Sequence, residues 1–298
     1  MTQAPLVSVI MNCYQGERYL TAAIDSVLAQ SYEHWEIIFW DNQSTDGSAA
    51  IVKSYTDSRI KYFQGTVHTL LSEARNCALE KADGDIIAFL DVDDIWLPLK
   101  LERQVALFSD PQVGLVCGNY WVISGAEEKR RLASRVTLPN GFVLDDLLRF
   151  YFVGLVTLVI RREALQSVGH AFDVRYHIIG DLDLVMRLSV AWKLASVQEP
   201  VAIYRMHGNN ESTKKRDKHA AELDQWSSEM QNLPAFKESR STNFIRSHFA
   251  YVKAMNFALL GDKVGAYHLL KLIPWGRLKL RVWAAVLLPR WIVQRLKN

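Results

Sequence analysis

Four short apolar runs, Leu6–Met11, Glu36–Trp40, Ile60–Phe63 and Ile86–Leu90, alternate with stretches that carry apolar residues at helical spacing. This alternation constrains the fold more than any other feature. Parallel strands need long crossover connections, and a helix is the usual one. After the first run, Leu20, Ile24, Val27 and Leu28 mark one face of a helix. Ser48–Tyr55 and Ser72–Lys81 predict two more. The expectation is an α/β fold: a sheet, parallel in this half, with helices on both faces and ligands gathered at the carboxyl ends of its strands.

The rest of the chain reads less regularly. After Tyr120 the pattern loosens, and the charged stretch Gly125–Arg135 reads as a loop. Tyr151–Ile160 is apolar but too short to span a bilayer, so it is assigned to the core. A helix near Asp181–Ala191 and a strand near Val201–Met206 complete the first zone, and beyond Ser212 only helices are expected. The boundaries read from this are 1–212 for a catalytic domain and 213–298 for a helical appendage.

A length of 298 residues allows one large domain or a catalytic domain with an appendage. With 49% hydrophobic and 22% charged residues, disordered and fibrous architectures are excluded. Charge is unevenly placed. Residues 212–298 hold 16 Lys and Arg against 6 Asp and Glu, whereas the preceding 211 hold 19 against 26. An acidic body argues against nucleic-acid binding and suits a protein that holds a cation. Cys13, Cys77 and Cys117 form no CxxC pair, which sets aside a zinc ribbon, a redox motif and a disulfide framework. A reducing, cytoplasmic setting is the expectation, and Met1–Leu6 shows no basic residue that would open a secretory signal. GxGxxG after the first strand, GxxxxGK[ST], HExxH and GxSxG are all absent, so dehydrogenases, P-loop NTPases, zincins and serine hydrolases are disfavoured.

Two polar clusters fall at strand ends. Asp41-Asn-Gln-Ser-Thr-Asp-Gly47 follows the second run, and Asp91-Val92-Asp93-Asp94 follows the fourth. Three carboxylates within four residues repel one another and raise each other's pKa unless something positive lies among them. A divalent cation resolves that conflict, and oxygen ligands on a short open loop suit Mg²⁺ or Mn²⁺ completed by substrate phosphates. Capping of the helix that begins near Pro98 is the alternative reading, although one Asp would suffice for it.

The segment Ala74-Arg-Asn-Cys-Ala-Leu-Glu-Lys-Ala-Asp-Gly-Asp-Ile-Ile-Ala-Phe-Leu-Asp-Val-Asp-Asp-Ile-Trp-Leu-Pro-Leu-Lys-Leu-Glu102 resembles family 2 glycosyltransferases, as does Val7-Ser-Val-Ile-Met-Asn-Cys-Tyr-Gln-Gly-Glu-Arg-Tyr-Leu20. The resemblance runs through several motifs in order over roughly residues 5–212. It implies an inverting, nucleotide-sugar-dependent transferase with the GT-A fold, a mixed sheet flanked by helices. The family's DxD motif maps to Asp91-Val92-Asp93, with Asp91 and Val92 against the nucleotide and Asp93 and Asp94 as metal ligands. Its nucleotide loop maps to Asp41–Gly47. There Asp41 would accept a pyrimidine N–H, which favours a UDP- or dTDP-sugar, while Asn42 and Gln43 depart from the family pattern. Asp46 reads as a helix cap. Asn12, Tyr14 and Glu17 would touch the nucleotide. Arg75 would balance the acidic pocket or contact diphosphate, and a structural ion pair is its alternative role.

Inverting transfer needs one carboxylate to take the acceptor's proton. The family carries that base in Glu-Asp-x-Asp-Leu-x-x-Arg, which here is Gly180-Asp181-Leu-Asp183-Leu-Val-Met-Arg187. Asp181 matches the base, Gly180 replaces the family's Glu, and Asp183 with Arg187 forms an i,i+4 ion pair. Tyr204-Arg-Met-His207 resembles the family's Tyr-Arg-x-His, making His207 a candidate for metal or diphosphate, against an ordinary satisfied histidine. A sugar-1-phosphate nucleotidyltransferase and a non-catalytic protein that keeps the fold are the rival readings. The first lacks its Gly-rich basic loop after strand one, and the second must explain four retained aspartates.

From Lys271 to Asn298 seven Lys and Arg occur with no Asp or Glu, interleaved with Trp275, Trp283 and Trp291. Such a segment suits the headgroup region at the inner membrane face, which would bring the enzyme to a glycan or lipid-linked acceptor in polysaccharide biosynthesis. Packing on the catalytic domain or on a second copy in a homodimer is the other reading.

Overall fold

The computed structural model of the chain describes residues 4–124, 129–207, 210, 215–230, 232–237 and 242–288. Ser212, part of the Gly125–Arg135 loop and the tail from Pro289 onward lie outside these residues. The chain divides into two compact units, Met1–Val143 with Phe152–Gly208, and Leu144–Tyr151 with Asn209–Asn298. Residues 144–151 thus group with the C-terminal helices.

In the first unit the strands are β1 (Val7–Cys13), β2 (Trp35–Asp41), β3 (Ile60–Gln64), β4 (Ile86–Phe89), β5 (Ile95–Trp96), β6 (Val113–Ser124), β7 (Lys129–Leu132), β8 (Val159–Arg161) and β9 (Lys193–Met206). They form one sheet in the order β3-β2-β1-β4-β8-β6-β9-β5, with β7 on the free flank of β6. The first four are parallel, as the alternation predicts. Helix α1 (Glu17–Leu28) follows β1, α2 (Ser48–Ser54) follows β2 and α3 (Leu71–Leu79) follows β3. Val7, Val9 and Met11 of β1 pack with Leu20, Ile24 and Val27 of α1 in one fully buried cluster. Each such side chain contributes roughly 1.5–3 kcal/mol of burial. The alternate residues of β1 and β2 face α3.

The second half differs from a purely parallel sheet. β8 runs antiparallel to both β4 and β6, and β5 antiparallel to β9. β9 is 14 residues long, not the six expected, and β6 is a 12-residue strand that sequence patterning missed. The reason is physical. β6 contains Gly114, Gly118 and Asn119, β9 contains Glu199 and Pro200, and the pair is interrupted by register shifts around Gly118–Tyr120, so neither keeps an apolar period. The 151–160 stretch is core, with Leu158, Val159 and Ile160 fully buried.

Helix α4 (Lys100–Val105) follows β5, α6 (Arg162–Ser167) follows β8 and α7 (Gly180–Leu188) precedes β9; α5 (Leu144–Arg149) belongs to the second unit. That unit also holds the helices Arg216–Met230, Pro234–Lys237, Thr242–Leu260, Lys263–Leu269 and Arg277–Leu287. Ala250, Ala254 and Ala258 recur one turn apart and let Leu270, Ile273, Val282 and Ala285 pack close. No helix among the described residues is long and apolar enough to cross a membrane.

Candidate active site

The loops after β1 and β2 are bound to each other before any ligand arrives. Gln15, at φ +58°, donates its amide to Ser44 Oγ, and its Oε1 accepts the amides of Thr45 and Asp46. Glu17 Oε2 accepts the Gly47 amide, and the Glu17 amide donates to Asp46 Oδ2. Asp46 Oδ1 takes the amide and hydroxyl of Ser48 at the first turn of α2, but from the position before the N-cap, which is Gly47, and not as the cap expected of it. Glu17 therefore serves as a latch between two loops.

Asp41 is placed differently from the expectation that it meets a base. It is fully buried, its Oδ1 accepts the Ser44 amide at 2.7 Å and its Oδ2 accepts the Tyr62 hydroxyl at 2.8 Å. Its next neighbour, Asn42, exchanges hydrogen bonds with the backbone of Thr69 and so ties the β3–α3 loop to the end of β2. Asn12 is the opposite case. Both atoms of its amide are buried without a partner among the described residues, as is Nε1 of Trp40, its register neighbour on β2. An unmet buried polar group costs about 1–3 kcal/mol, so these atoms suit a bound nucleotide or water. Tyr14, 54% exposed, lies against the His68 ring at 4.3 Å, leaving an aromatic face at the mouth.

The acidic loop runs from β4 to β5, β5 pairs with β9, and three tertiary contacts sort the three carboxylates. Asp91 Oδ1 is held by Arg75 at 2.8 Å, with the Arg75 side chain nearly buried. Val92 packs on the hydrophobic core. Asp93 Oδ2 lies 3.0 Å from His207 Nε2, both side chains 24% exposed. Asp94 is buried, and its Oδ1 accepts the Arg205 amide. Burial and the charge of Asp91 push the Asp93 carboxyl up, and burial together with Asp93 and Asp91 pushes Asp94 well above the usual range. Asp94, expected to bind metal, has its Oδ1 engaged by the backbone of β9.

The residues present fit a hard divalent cation. Asp93 and His207 bring two partly exposed donor atoms together, beside carboxylates that repel one another. Among the described residues no three His, Cys, Asp or Glu close into a cage. Two protein donors with room for substrate oxygens is the arrangement Mg²⁺ and Mn²⁺ accept.

Asp181 stands in the first turn of α7. Burial pushes its carboxyl above the ordinary range, while the charge of Arg75 opposes that rise and Asp91 adds to it. The charges of the Arg75–Asp91 ion pair thus act on Asp181 in opposite senses, and the Asp181 charge also acts on Tyr120 of β6. The departure at Gly180 has a steric reason: a Cβ there would start 2.9 Å from Ser72 Oγ, which donates to the Tyr176 carbonyl. Asp183 pairs with Arg187 at 2.8 Å, as its spacing predicts, and Arg187 also donates to the His170 and Ala171 carbonyls.

Sequence reasoning missed Tyr19 and Arg205. The Tyr19 ring stacks on His207, with centroids 5.4 Å apart and planes 17° from parallel, and the Arg205 guanidinium lies over the same Tyr19 ring, 5.2 Å from its centroid. Arg205 also donates to the Asp93 carbonyl. Both residues sit inside the resembling motifs, so the signal was there, but nothing local says that residues 19 and 207 meet.

A family model described as Glycosyl transferase family 2 matches residues 8–168. Over 167 residues the chain is 35% identical to the UDP-Glc:alpha-D-GlcNAc-diphosphoundecaprenol beta-1,3-glucosyltransferase WfgD of Escherichia coli, covering 56% of this chain and 64% of that relative, just under two thirds of its length. Among solved structures, S. aureus TarS 1-349 in complex with UDP-GlcNAc superposes with a TM-score of 0.70 at 15% identity, covering 98% of this chain and 91% of that one. The mannosyltransferase PcManGT of Pyrobaculum calidifontis, in complex with GDP-Man and Mn2+, gives a TM-score of 0.62 at 18% identity and covers 99% and 80%. These two likenesses concern the fold, a mixed sheet flanked by helices of the GT-A type. With the family match spanning more than half of its residues, the chain belongs to glycosyl transferase family 2.

Proposed function

We propose that this family 2 glycosyltransferase moves a sugar from a UDP- or dTDP-sugar to a hydroxyl of a lipid-linked glycan, with inversion and in a single displacement. The observation that carries this reading is the Arg75–Asp91 ion pair at the end of β4, whose charges act on the Asp181 carboxyl in the first turn of α7. It is supported by the family match and by the name of the relative WfgD, which specifies a UDP-Glc donor and a diphosphoundecaprenol-linked acceptor.

Asp181 takes the proton of the acceptor hydroxyl as that oxygen bonds to the anomeric carbon. The bond from that carbon to the diphosphate breaks at the same time, and the diphosphate leaves with the electron pair. Asp181's surroundings suit the task, because a shielded carboxylate is a stronger base than a solvated one. Arg75 keeps Asp91 and Asp181 from repelling each other. The unmet amide of Asn12 and the Tyr14 face contribute to nucleotide binding, while Asp41 and Glu17 hold the loops that carry them. A Mn²⁺ or Mg²⁺ ion held by Asp93 and His207 would neutralise charge on the departing diphosphate. A lipid-linked acceptor places the reaction at a membrane face, within polysaccharide assembly.

Paired substitutions test the roles. Asp181→Asn should keep donor binding, read as a thermal shift with UDP-sugar and Mn²⁺, and lose transfer by roughly 10²–10⁴-fold. Asp93→Ala should lose the metal-dependent part of that shift. Full turnover by Asp181→Asn would remove the base assignment, and an unchanged shift in Asp93→Ala would remove the metal assignment.

A further inference from the structure

From Lys263 to Leu288 the second unit carries five Lys and Arg and no Asp or Glu. Its helix Arg277–Leu287 has two apolar stripes. One, with Val282 and Ala285, is buried in the helical core. The other holds Leu280 and Leu287, seven residues and about two turns apart, which are 58% and 70% exposed. A helix covered on a single side is expected to be polar on the other, so the second stripe is unexplained by packing within the unit. Its edges are cationic: Arg277 and Arg281, one turn apart, border it on one side and Lys279 on the other. Just before the helix, Trp275 is 79% exposed, with Lys279 Nζ 5.1 Å from its ring centroid. Leu272, also exposed, extends the apolar surface.

We propose that Leu272–Leu287 is a membrane-surface patch that docks on bilayers containing anionic lipid. Trp275, Leu280 and Leu287 enter the headgroup region, while Arg277, Lys279 and Arg281 meet lipid phosphates. Charge selects this occupant. A second copy of the chain seated on the same face would bring these cations against themselves, with no carboxylate between Lys263 and Leu288 to offset them. The helix has 11 residues, too few to span a bilayer, so it lies on the surface. The proposal deepens the reading of a lipid-linked acceptor by supplying the surface that brings the enzyme to it. Vesicle binding needs neither donor nor transfer, so the two ideas fail separately.

The test is sedimentation of the full chain with phosphatidylcholine vesicles, with and without phosphatidylglycerol. The wild type should bind the mixed vesicles, and added salt should weaken that binding. Leu280→Ser with Leu287→Ser should lower the partition coefficient roughly tenfold. Arg277→Glu with Arg281→Glu should abolish the preference for phosphatidylglycerol. If the leucine variant melts below the wild type, Trp275→Ala, which stands outside the helix, carries the same test. No binding by the wild type overturns the proposal, as does binding that all these substitutions leave unchanged. A dimer in ultracentrifugation that the leucine substitutions dissociate overturns it in favour of a second copy.

Discussion

Lys100→Met should stabilise this protein, by an amount that shrinks as pH rises. Lys100 is fully buried in α4, its Nζ has no hydrogen-bond partner among the described residues, and the Trp96 ring lies 4.0 Å away. Gln104 Oε1, one turn further on, is also buried and unmet. Burial pushes the Lys100 ammonium well below its ordinary value. In the unfolded chain a lysine keeps its proton up to about pH 10.4. Between the folded and unfolded values, then, the unfolded state holds one proton that the folded state has released. Stability rises with pH wherever the unfolded state binds more protons, here by about 1.4 kcal/mol per unit. Methionine fills similar space and has no proton to lose, and all other groups titrate alike in both proteins. The advantage of Lys100→Met over wild type should therefore be largest at lower pH and fall, by up to about 1.4 kcal/mol per unit, as pH rises from the lowered folded value toward the unfolded value of about 10.4. Urea unfolding of both proteins at a neutral and an alkaline pH measures it. A gap that does not move with pH, or a methionine variant that is less stable at both, would show that the lysine is charged and satisfied in the fold.

Two further outcomes bear on the site and its frame. As a base Asp181 works deprotonated, so kcat/KM should fall as pH drops through its raised folded value, and Arg75→Leu should move that acid limb upward by roughly one unit. An acid limb at the same pH in both proteins would separate Arg75 from the base. Gly84→Ala would place a Cβ 2.6 Å from the amide and hydroxyl of Ser8 and 2.7 Å from the Leu6 carbonyl, all at the start of β1. Backbone must shift to admit it, at a cost of about 1–3 kcal/mol; an unchanged melting temperature would contradict that contact.

The parallel half of the sheet was legible because its signals are local. β1, β2, β3 and β4 are continuous apolar runs, and α1 declares its buried face through Leu20, Ile24 and Val27. β6 and β9 were not legible as a pair. Their glycines, Pro200 and bulges hide the period, and each strand gains its place only by lying against the other. The site divides the same way. The bond of Asp46 to Ser48 and the pairing of Asp183 with Arg187 follow from spacing of a few residues.

What the sequence alone determined is the inventory: an acidic loop at a strand end, a carboxylate opening a helix, and the family to which both belong. Tertiary structure decided which protein groups each of these carboxylates meets. Asp94 is turned inward by the amide of Arg205, 111 residues away, and Asp41 by the hydroxyl of Tyr62, while Asp93 is left partly exposed beside His207. A carboxylate's solvation and charge depend on every group within a few ångströms of it. In a sheet whose strand order is not its chain order, those groups come from distant segments that only folding brings together.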